Sequence, residues 1–203
     1  MITNELDEML VRHLADMDDG ATRLEAISTK VGDAMDELTG KWTTDHGWLK
    51  GDGDWNEDGD LRVAPPEWKP GEDWLSWFKF DYGDGDDGYP GVGRDYFWLT
   101  RLCGDGNGMT GFRFVQEQVT KVAWKKFLKA HGNPLVEEGF RAYEQSSLFL
   151  PVRISSSDLA AAVREERIEE ALQPLRDALD VLKRALPKFD KLLAEAKKSQ
   201  GAK

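Results

Sequence analysis

The chain has 203 residues, a formal net charge of −11 and one cysteine, Cys103. That length is enough for one ordinary hydrophobic core with helical extensions, and a single cysteine excludes an intramolecular disulfide and is typical of a reducing compartment. Residues 1–20 carry charges throughout and no run of about 18 apolar residues occurs, which argues against a signal peptide and a membrane span and predicts a cytoplasmic protein.

Most of the charge lies in one segment. Residues 45–105 contain fifteen Asp and Glu against six Lys and Arg, a net of −9. A surface of this kind repels the phosphate backbone of nucleic acids and attracts basic surfaces. We therefore expect no direct nucleic-acid binding through this segment.

A heptad pattern runs through the N-terminal region. Its apolar residues follow steps of four and three, with His13 and Gly20 completing the series: Leu6, Leu10, Met17, Leu24, Ile27, Val31, Ala34 and Leu38. The spacing predicts one long helix with coiled-coil periodicity. A helix end at Gly20 is the alternative, because a glycine inside a helix costs about 1 kcal/mol relative to alanine. We favour one continuous helix, because the spacing of four and three continues past Gly20.

The segment DWNEDGDLRVAP, residues 54–65, resembles the calcium loops of EF-hand and dockerin proteins through its first eight positions. In those loops alternate residues point inward, so that oxygen ligands converge on one hard cation, and a glycine makes the sharp bend. The resemblance implies the following metal ligands: Asp54, Asn56, Asp58, the carbonyl of Asp60, and Glu67.

This loop departs from the pattern at its twelfth position. A calcium loop has a bidentate Glu or Asp there, whereas this chain has Pro65, and the residues that follow Gly59 are extended rather than helical. The alternative is a solvated acidic turn, because Asp and Gly form such turns often. The sequence favours the acidic turn and leaves a calcium-stabilised structural module as a second hypothesis.

The middle of the chain is typical of a β-rich domain. Four runs predict strands, at residues 74–82, 95–103, 111–118 and 148–154, and Gly/Asp-rich segments at 83–93 and 104–111 predict turns between them. Residues 119–131 have helical spacing and end at Gly132. Cys103, in the second run, is expected to be a half-buried structural thiol.

The C-terminal region repeats the heptad design. Ser155 to Ser157 offer a helix N-cap, and the same alternation of four and three then follows: Ile168, Leu172, Leu175, Leu179, Leu182, Leu186, Phe189, Leu193 and Ala196. Pro174 suits the first turn of a helix, whereas Pro187 is predicted to kink or restart it.

Each heptad pattern forms a seam, which is a line of apolar side chains along one side of the helix. Each of the two seams needs an apolar partner. The simplest solution is that they pack on each other, antiparallel, within one chain; the alternative is that they pair across a homodimer. We therefore predict an α+β fold in which a mostly antiparallel sheet is flanked by long N- and C-terminal heptad-patterned helices that form a coiled coil or a helical bundle. The expected domains are residues 1–41, an acidic, Trp-rich α+β domain at 42–154, and C-terminal helices at 155–203.

The sequence carries no persuasive catalytic set. Its three histidines are not spaced for zinc, no nucleophile-elbow motif occurs, and the Gly-rich segment 83–93 lacks a Gly-Lys-Ser/Thr ending. A nuclease-like strand would place a lysine two residues after Glu117, where this chain has Val119.

The preferred hypothesis is a non-enzymatic interaction protein whose acidic, aromatic-rich face binds a basic surface of a partner protein. An inhibitor that mimics nucleic acid, of the kind that phages and mobile elements use, is one concrete version, and the resemblance is in composition only. The candidate partner-binding residues are Asp84, Asp86, Asp87, Trp55, Trp68 and Trp74, although core packing is the favoured role for any single tryptophan. The alternative is a hydrolase or nuclease-like enzyme whose metal is held by Asp54, Asp58, Asp84 and Asp95.

Overall fold

The structure is a computed structural model that describes residues 4–57, 59–82, 97–105, 108–143 and 147–201. Within these residues it contains six strands in one sheet and seven α-helices, which confirms the predicted α+β class. Both long terminal helices are present.

The helices account for most of the two terminal regions. They are α1 (Asn4–Arg12), α2 (Leu14–His46), α3 (Trp98–Cys103), α4 (Lys121–His131), α5 (Ser156–Arg164), α6 (Ile168–Ala171) and α7 (Gln173–Gly201), with short 3-10 turns at Pro66–Trp68 and Val136–Glu138.

The sheet has the strand order β1-β2-β3-β4-β6-β5, and every neighbouring pair is antiparallel. The strands are β1 (Leu49–Lys50), β2 (Arg62–Ala64), β3 (Ser76–Tyr82), β4 (Thr110–Gln116), β5 (Arg141–Tyr143) and β6 (Ser147–Val152). The predicted strands at 74–82, 111–118 and 148–154 are confirmed as β3, β4 and β6. The strands β1, β2 and β5 were not predicted, because two or three residues are too short to show an alternating pattern.

The core lies between one face of the sheet and α7. Phe78 pairs with Phe114 and Phe80 with Phe112 across β3 and β4, and all four rings point to this face. Phe189 of α7 packs against Phe78 and Phe114, with ring centroids 5.0 Å and 4.5 Å away. Every residue of the C-terminal seam is buried or half-buried, so the seam serves mainly to hold α7 under the sheet.

Two tryptophan N–H groups orient α7. Trp42 Nε1 of α2 donates to Asp180 at 2.8 Å, and Trp68 Nε1 donates to Asp190 at 2.8 Å. Both indoles are buried, and a buried indole N–H needs a partner. Each carboxylate therefore satisfies an aromatic ring that is itself part of the core.

The segment 95–103 was predicted as a strand, and this prediction is wrong for its described part. Residues 98–103 form helix α3, which ends where Gly104 adopts a left-handed φ of 65° and its N–H bonds to the Arg101 carbonyl. Leu99, Leu102 and Cys103 are buried at helical spacing. The apolar run was compatible with both periods, and tertiary packing selected the helix. Cys103 accordingly lies in a helix rather than a strand.

Helix α2 passes through Gly20 without a break, which confirms the predicted continuity at this position. The helical path is distorted instead at His13, where φ is −116°, although the His13 N–H still reaches the Met9 carbonyl and the His13 carbonyl accepts from Met17. At its other end α2 continues past residue 41 to His46 and stops at Gly47, which has a left-handed φ of 68°.

The two seams do not pack antiparallel, so that prediction is wrong. Residues 26–37 of α2 face residues 163–169 across a cleft, whereas Trp42, further along α2, bonds to Asp180 of α7. Positions further along α2 therefore contact positions further along the C-terminal helices. The two elements run parallel, and this arrangement does not bring the two termini together. A heptad pattern indicates which residues of a helix face a partner helix, but not whether that partner runs parallel or antiparallel. The sequence could therefore not distinguish these arrangements.

The proline and capping predictions have mixed outcomes. Pro174 lies in the first turn of α7, and Ser155 caps α5 by accepting from the Asp158 N–H, as predicted. Helix α7 does not restart at Pro187. Pro187 lies on the exposed side of α7, where the carbonyl that loses its partner can bind water. Helix α4 begins with Thr120 as N-cap and ends at Gly132, as expected.

Glu138 joins the turn Val136–Glu138 to α7 and provides a pH-dependent contact. Hydrogen bonds from Lys188 at 2.7 Å and Arg184 at 3.2 Å lower the pKa of Glu138 from its ordinary value of 4.5. A lowered carboxyl pKa stabilises the fold fully above the ordinary pKa, and this contribution is lost as the pH falls through the lowered pKa.

We therefore expect the parent protein to be more stable than Glu138→Gln at pH 7, and the difference to shrink as the pH falls from about 5 to about 3. Urea-induced unfolding at several pH values measures this. Glu137→Gln is the matched control, because Glu137 is a neighbouring exposed residue of the same turn. A constant difference between the parent and Glu138→Gln across this pH range would contradict the assignment.

Among the described residues, no helix combines the length and the apolar character that crossing a membrane requires.

Candidate functional site

The predicted calcium loop forms a closed acidic turn. Asp54 accepts the Glu57 N–H at 2.7 Å through Oδ1, and the Asp60 N–H returns to the Asp54 carbonyl at 3.2 Å. Gly59 has a left-handed φ of 63°, the backbone conformation that the sequence pattern assigned to it. These contacts are those of a turn that is stabilised by its own side chains.

Two of the five candidate ligands make contacts outside the loop. Asn56 donates to the Thr29 carbonyl at 2.8 Å and to Asp33 at 2.7 Å, both on α2. The Asp60 carboxylate forms an ion pair with Arg62 and lies 3.7 Å from Lys79 Nζ. The Asn56 amide must release these groups before it can bind a cation, whereas the ligand that the loop pattern assigns to Asp60 is its carbonyl oxygen, which these ion pairs do not involve.

Of the remaining candidate ligands, only Asp54 and Glu67 lie within the described residues. Glu67 is exposed in the turn Pro66–Trp68, and Asp58 lies outside the described residues. Within the described part of the chain, no group of three or more His, Cys, Asp or Glu side chains is placed to hold a metal ion. The calcium site stays a prediction.

This loop is fixed to the body of the protein by α2. Asp36 accepts the Trp55 N–H at 2.8 Å, and Lys50 Nζ lies 3.1 Å from Asp36 and donates to the Gly53 carbonyl at 3.0 Å. The Asp36–Lys50 pair is mostly buried, so it connects helix, strand and loop in a region of reduced solvent screening. The exposed carboxylates of the loop are therefore carried on a fixed backbone.

Trp55 and Trp68 pack in the core, as the sequence favoured for any single tryptophan. They are 7% and 4% exposed, respectively. Trp55 makes edge contacts with Phe80 and Tyr82, and Trp68 packs against Phe78. In this structure neither indole offers a surface to a partner.

Trp74 is half-exposed but lies among cations rather than carboxylates. Arg62 is 5.7 Å from the ring centroids of both Trp74 and Trp77, and Lys69 Nζ is 4.9 Å from Trp74. The exposed aromatic surface is therefore already occupied by the chain's own basic residues through cation–π contacts. Asp84, Asp86 and Asp87, the acidic candidates for partner binding, lie outside the described residues.

The structure brings together an acidic surface that the sequence did not predict. A cleft of about 460 Å³ separates α2 from the junction of α5 and α6. Its floor is apolar: Ala26, Ile27, Ala34, Val163 and Ile168. Its rims carry four carboxylates and one amine: Asp33, Glu37, Glu166, Glu169 and Lys30. We call this the α2–α6 cleft.

One rim of the α2–α6 cleft has unusual backbone geometry. Glu166 has a φ of 55°, the only non-glycine residue with a positive φ in the described part of the chain. It lies in the three-residue link between α5 and α6, where the Arg167 N–H reaches back to the Ala162 carbonyl at 2.8 Å. A left-handed non-glycine residue is strained, and such strain is found often at functional sites.

A second acidic group lies beside this link. Hydrogen bonds from Arg167 and Arg164 lower the pKa of Glu165 from its ordinary value of 4.5. The sequence signal for the cleft was present but weak: Asp33 and Glu37 flank the seam residues Val31 and Ala34. Nothing in the pattern showed that α6, with its own acidic residues, would lie opposite.

Cys103, His46 and His131 have the environments of structural residues. Burial and the neighbouring Asp105 raise the pKa of Cys103, which disfavours a thiolate. His46 and His131 each direct Nδ1 to the carbonyl four residues earlier and stack on a ring of their own helix. These contacts fit structural roles.

Comparison of the chain with protein-family models, with curated proteins and with solved structures found no match.

Proposed function

We propose that this chain is a non-enzymatic, cytoplasmic interaction protein whose acidic surface binds a basic surface of another protein. The observation that carries this proposal is the α2–α6 cleft, which combines an apolar floor with four carboxylates and a single lysine. Electrostatic complementarity of this kind sets partner choice and speeds association.

The residues that line the cleft favour one kind of partner. Its floor is formed by aliphatic side chains on helices, and its carboxylates lie along both sides. An amphipathic helix with Lys or Arg on both flanks of an apolar face matches such a groove, because helices bind grooves through apolar residues at spacings of three and four. The net charge of −11 attracts such a segment over a longer range.

A basic nucleic-acid-binding surface is one partner that fits this description. An acidic protein that covers such a surface would prevent the nucleic acid from reaching it, as the nucleic-acid-mimic hypothesis requires. The support for this version is the charge of the chain and the acidic cleft; neither identifies the partner.

The test is binding of a synthetic basic amphipathic helix, measured by fluorescence anisotropy with the full chain. The double variant Glu37→Lys/Glu169→Lys reverses one carboxylate on each rim and is expected to weaken binding at least about tenfold, since each introduces repulsion where attraction existed. Raising the salt from about 0.1 M to 0.5 M is expected to weaken binding to the parent protein as well.

Glu72→Lys combined with Glu67→Lys is the matched control, because it makes the same charge change at exposed residues that do not line the cleft. An equal loss of binding in the control would show that net charge, and not the cleft, holds the peptide. Hydrolytic turnover by the parent protein that a single Asp→Asn change abolishes would favour the metal-dependent enzyme instead.

A further inference from the structure

Among the described residues, no element covers the N-terminal half of the first seam. Nine large hydrophobic side chains are exposed among the described residues, and seven of them lie between residues 6 and 24. Six of the seven share one face of α1 and α2 and are here called the N-terminal stripe: Leu6, Met9, Leu10, Leu14, Met17 and Leu24. The same seam becomes buried only from Val31 onward.

The α5–α6 region explains where the stripe ends. It covers the seam of α2 beside Ala34, so a partner can use the seam only up to Ile27. Leu6, Leu10, Met17 and Leu24 of the stripe belong to the heptad series of four and three, and Met9 and Leu14 lie beside it. An exposed seam with this periodicity fits another helix, because each apolar side chain needs a hole between four residues of a facing helix.

We propose that the N-terminal stripe binds the same stripe of a second copy of this chain, as an antiparallel two-helix coiled coil. In the register that we infer, Leu10 lies opposite Ile27 of the second copy and Met17 lies opposite Gly20. The second pair places the long side chain of Met17 against Gly20, which has no side chain. By symmetry, each of these pairs occurs twice.

Charge complementarity selects this register and orientation. Asp16 and Arg23 flank the stripe on the same side, and their side chains are 78% and 76% exposed. In an antiparallel pair such flanking positions face each other, so Asp16 of each copy meets Arg23 of the other. In a parallel pair Asp16 would face Ala21 and Arg23 would face Ser28, which gives no ion pair.

The position of the acidic body also favours the antiparallel arrangement. A parallel pair would place two bodies, each belonging to a chain of charge −11, side by side at the same end of the coiled coil. An antiparallel pair places them at opposite ends, about 25 Å or more apart along a helix pair of some 20 residues. The proposal goes beyond the basic-partner function, and its register shares Ile27 with the α2–α6 cleft but uses none of the carboxylates that line it.

Sedimentation equilibrium of the full chain over a range of concentrations tests the proposal. The parent protein is expected to dimerise, and Leu10→Glu is expected to weaken the dimer at least about 100-fold, because it places a charge within the stripe. Val11→Glu is the matched control: Val11 is also apolar and exposed but lies off the stripe, so the dimer of this variant is expected to persist. Unfolding curves of both variants check that the body stays folded.

Charge exchange tests the orientation. Asp16→Arg and Arg23→Asp are each expected to weaken self-association about tenfold, whereas an equimolar mixture of the two variants is expected to form a heterodimer as stable as the parent dimer. Only antiparallel pairing predicts this rescue, since every flanking contact in the mixture then joins Arg to Asp.

Three outcomes would overturn the proposal. A parent protein that stays monomeric would assign the stripe to a different protein, and a dimer that Leu10→Glu leaves intact would place the interface elsewhere. A mixture of Asp16→Arg and Arg23→Asp that associates no better than either variant alone would exclude the antiparallel register. The substituted residues Leu10, Asp16 and Arg23 do not line the α2–α6 cleft, so peptide binding by the cleft can be measured in the same variants and the two proposals can fail independently.

Discussion

Replacing Phe189 by alanine is expected to lower the free energy of unfolding by about 3–5 kcal/mol, the range for a large buried aromatic side chain. Phe189 is fully buried, and its ring contacts Phe114 at 4.5 Å, Phe78 at 5.0 Å and Phe140 at 5.1 Å between centroids. The alanine variant removes these contacts and leaves a cavity between α7 and the sheet. Urea-induced unfolding measures the difference.

Two further variants show whether the loss of stability comes from lost packing or from a change in helix propensity. Phe189→Leu keeps much of the buried volume and is expected to lose less stability than the alanine variant. Val122→Ala removes apolar atoms from a side chain that is 80% exposed, so it is expected to change stability by less than about 0.5 kcal/mol. A Phe189→Ala variant as stable as Val122→Ala would show that α7 does not lie under the sheet.

The second large effect is expected at Gly111 in β4. A Cβ atom at this position would lie 2.1 Å from the Leu150 carbonyl oxygen and 2.9 Å from Phe149 Cε1. The first of these atoms belongs to the backbone of β6 and cannot move aside without breaking the pairing of the two strands. We expect Gly111→Ala to lower the free energy of unfolding by about 3 kcal/mol, the upper end of the usual range for overpacking.

Gly40→Ala is the matched control for Gly111→Ala. Gly40 lies inside α2, and a Cβ there would meet only Lys50 Cδ, at an ordinary contact distance of 3.9 Å. Alanine is the better helix former, so this variant is expected to gain about 0.5–1 kcal/mol. Thermal unfolding of both variants compares them directly. A Gly111→Ala protein that gains stability would contradict the close approach of β4 and β6.

The fold could be predicted where periodicity and capping agreed. Residues 148, 150 and 152 alternate cleanly and form β6, and the helix that ends at Gly132 has both its spacing and its stop signal. The prediction of a strand at 95–103 failed because a short apolar run fits a buried strand and a buried helix equally well. In the structure this segment contacts a residue far away in sequence, because the Ile154 N–H donates to the Leu102 carbonyl at 3.0 Å.

The candidate site could be predicted less well, because it depends on which elements meet. Composition correctly favoured core roles for Trp55 and Trp68, but it did not show that Trp74 would lie beside Arg62 and Lys69. The α2–α6 cleft joins residues that are about 130 positions apart in the sequence. Single-sequence patterns describe one element at a time, and a surface shared by two elements has no local signal.

The parallel packing of α2 with α6 and α7 has a consequence for how the chain folds. The inner half of α2 is complete early in synthesis, yet the residues that cover it, from Val163 to Asp180, are made about 130 residues later. During synthesis Val31, Met35 and Leu38 must remain exposed or be held by another protein until the C-terminal helices emerge. Closure of such a long loop slows folding and prolongs the exposure of apolar surface. We therefore expect refolding to be slow for a protein so rich in helix, and expect nascent chains that lack α7 to depend on chaperones.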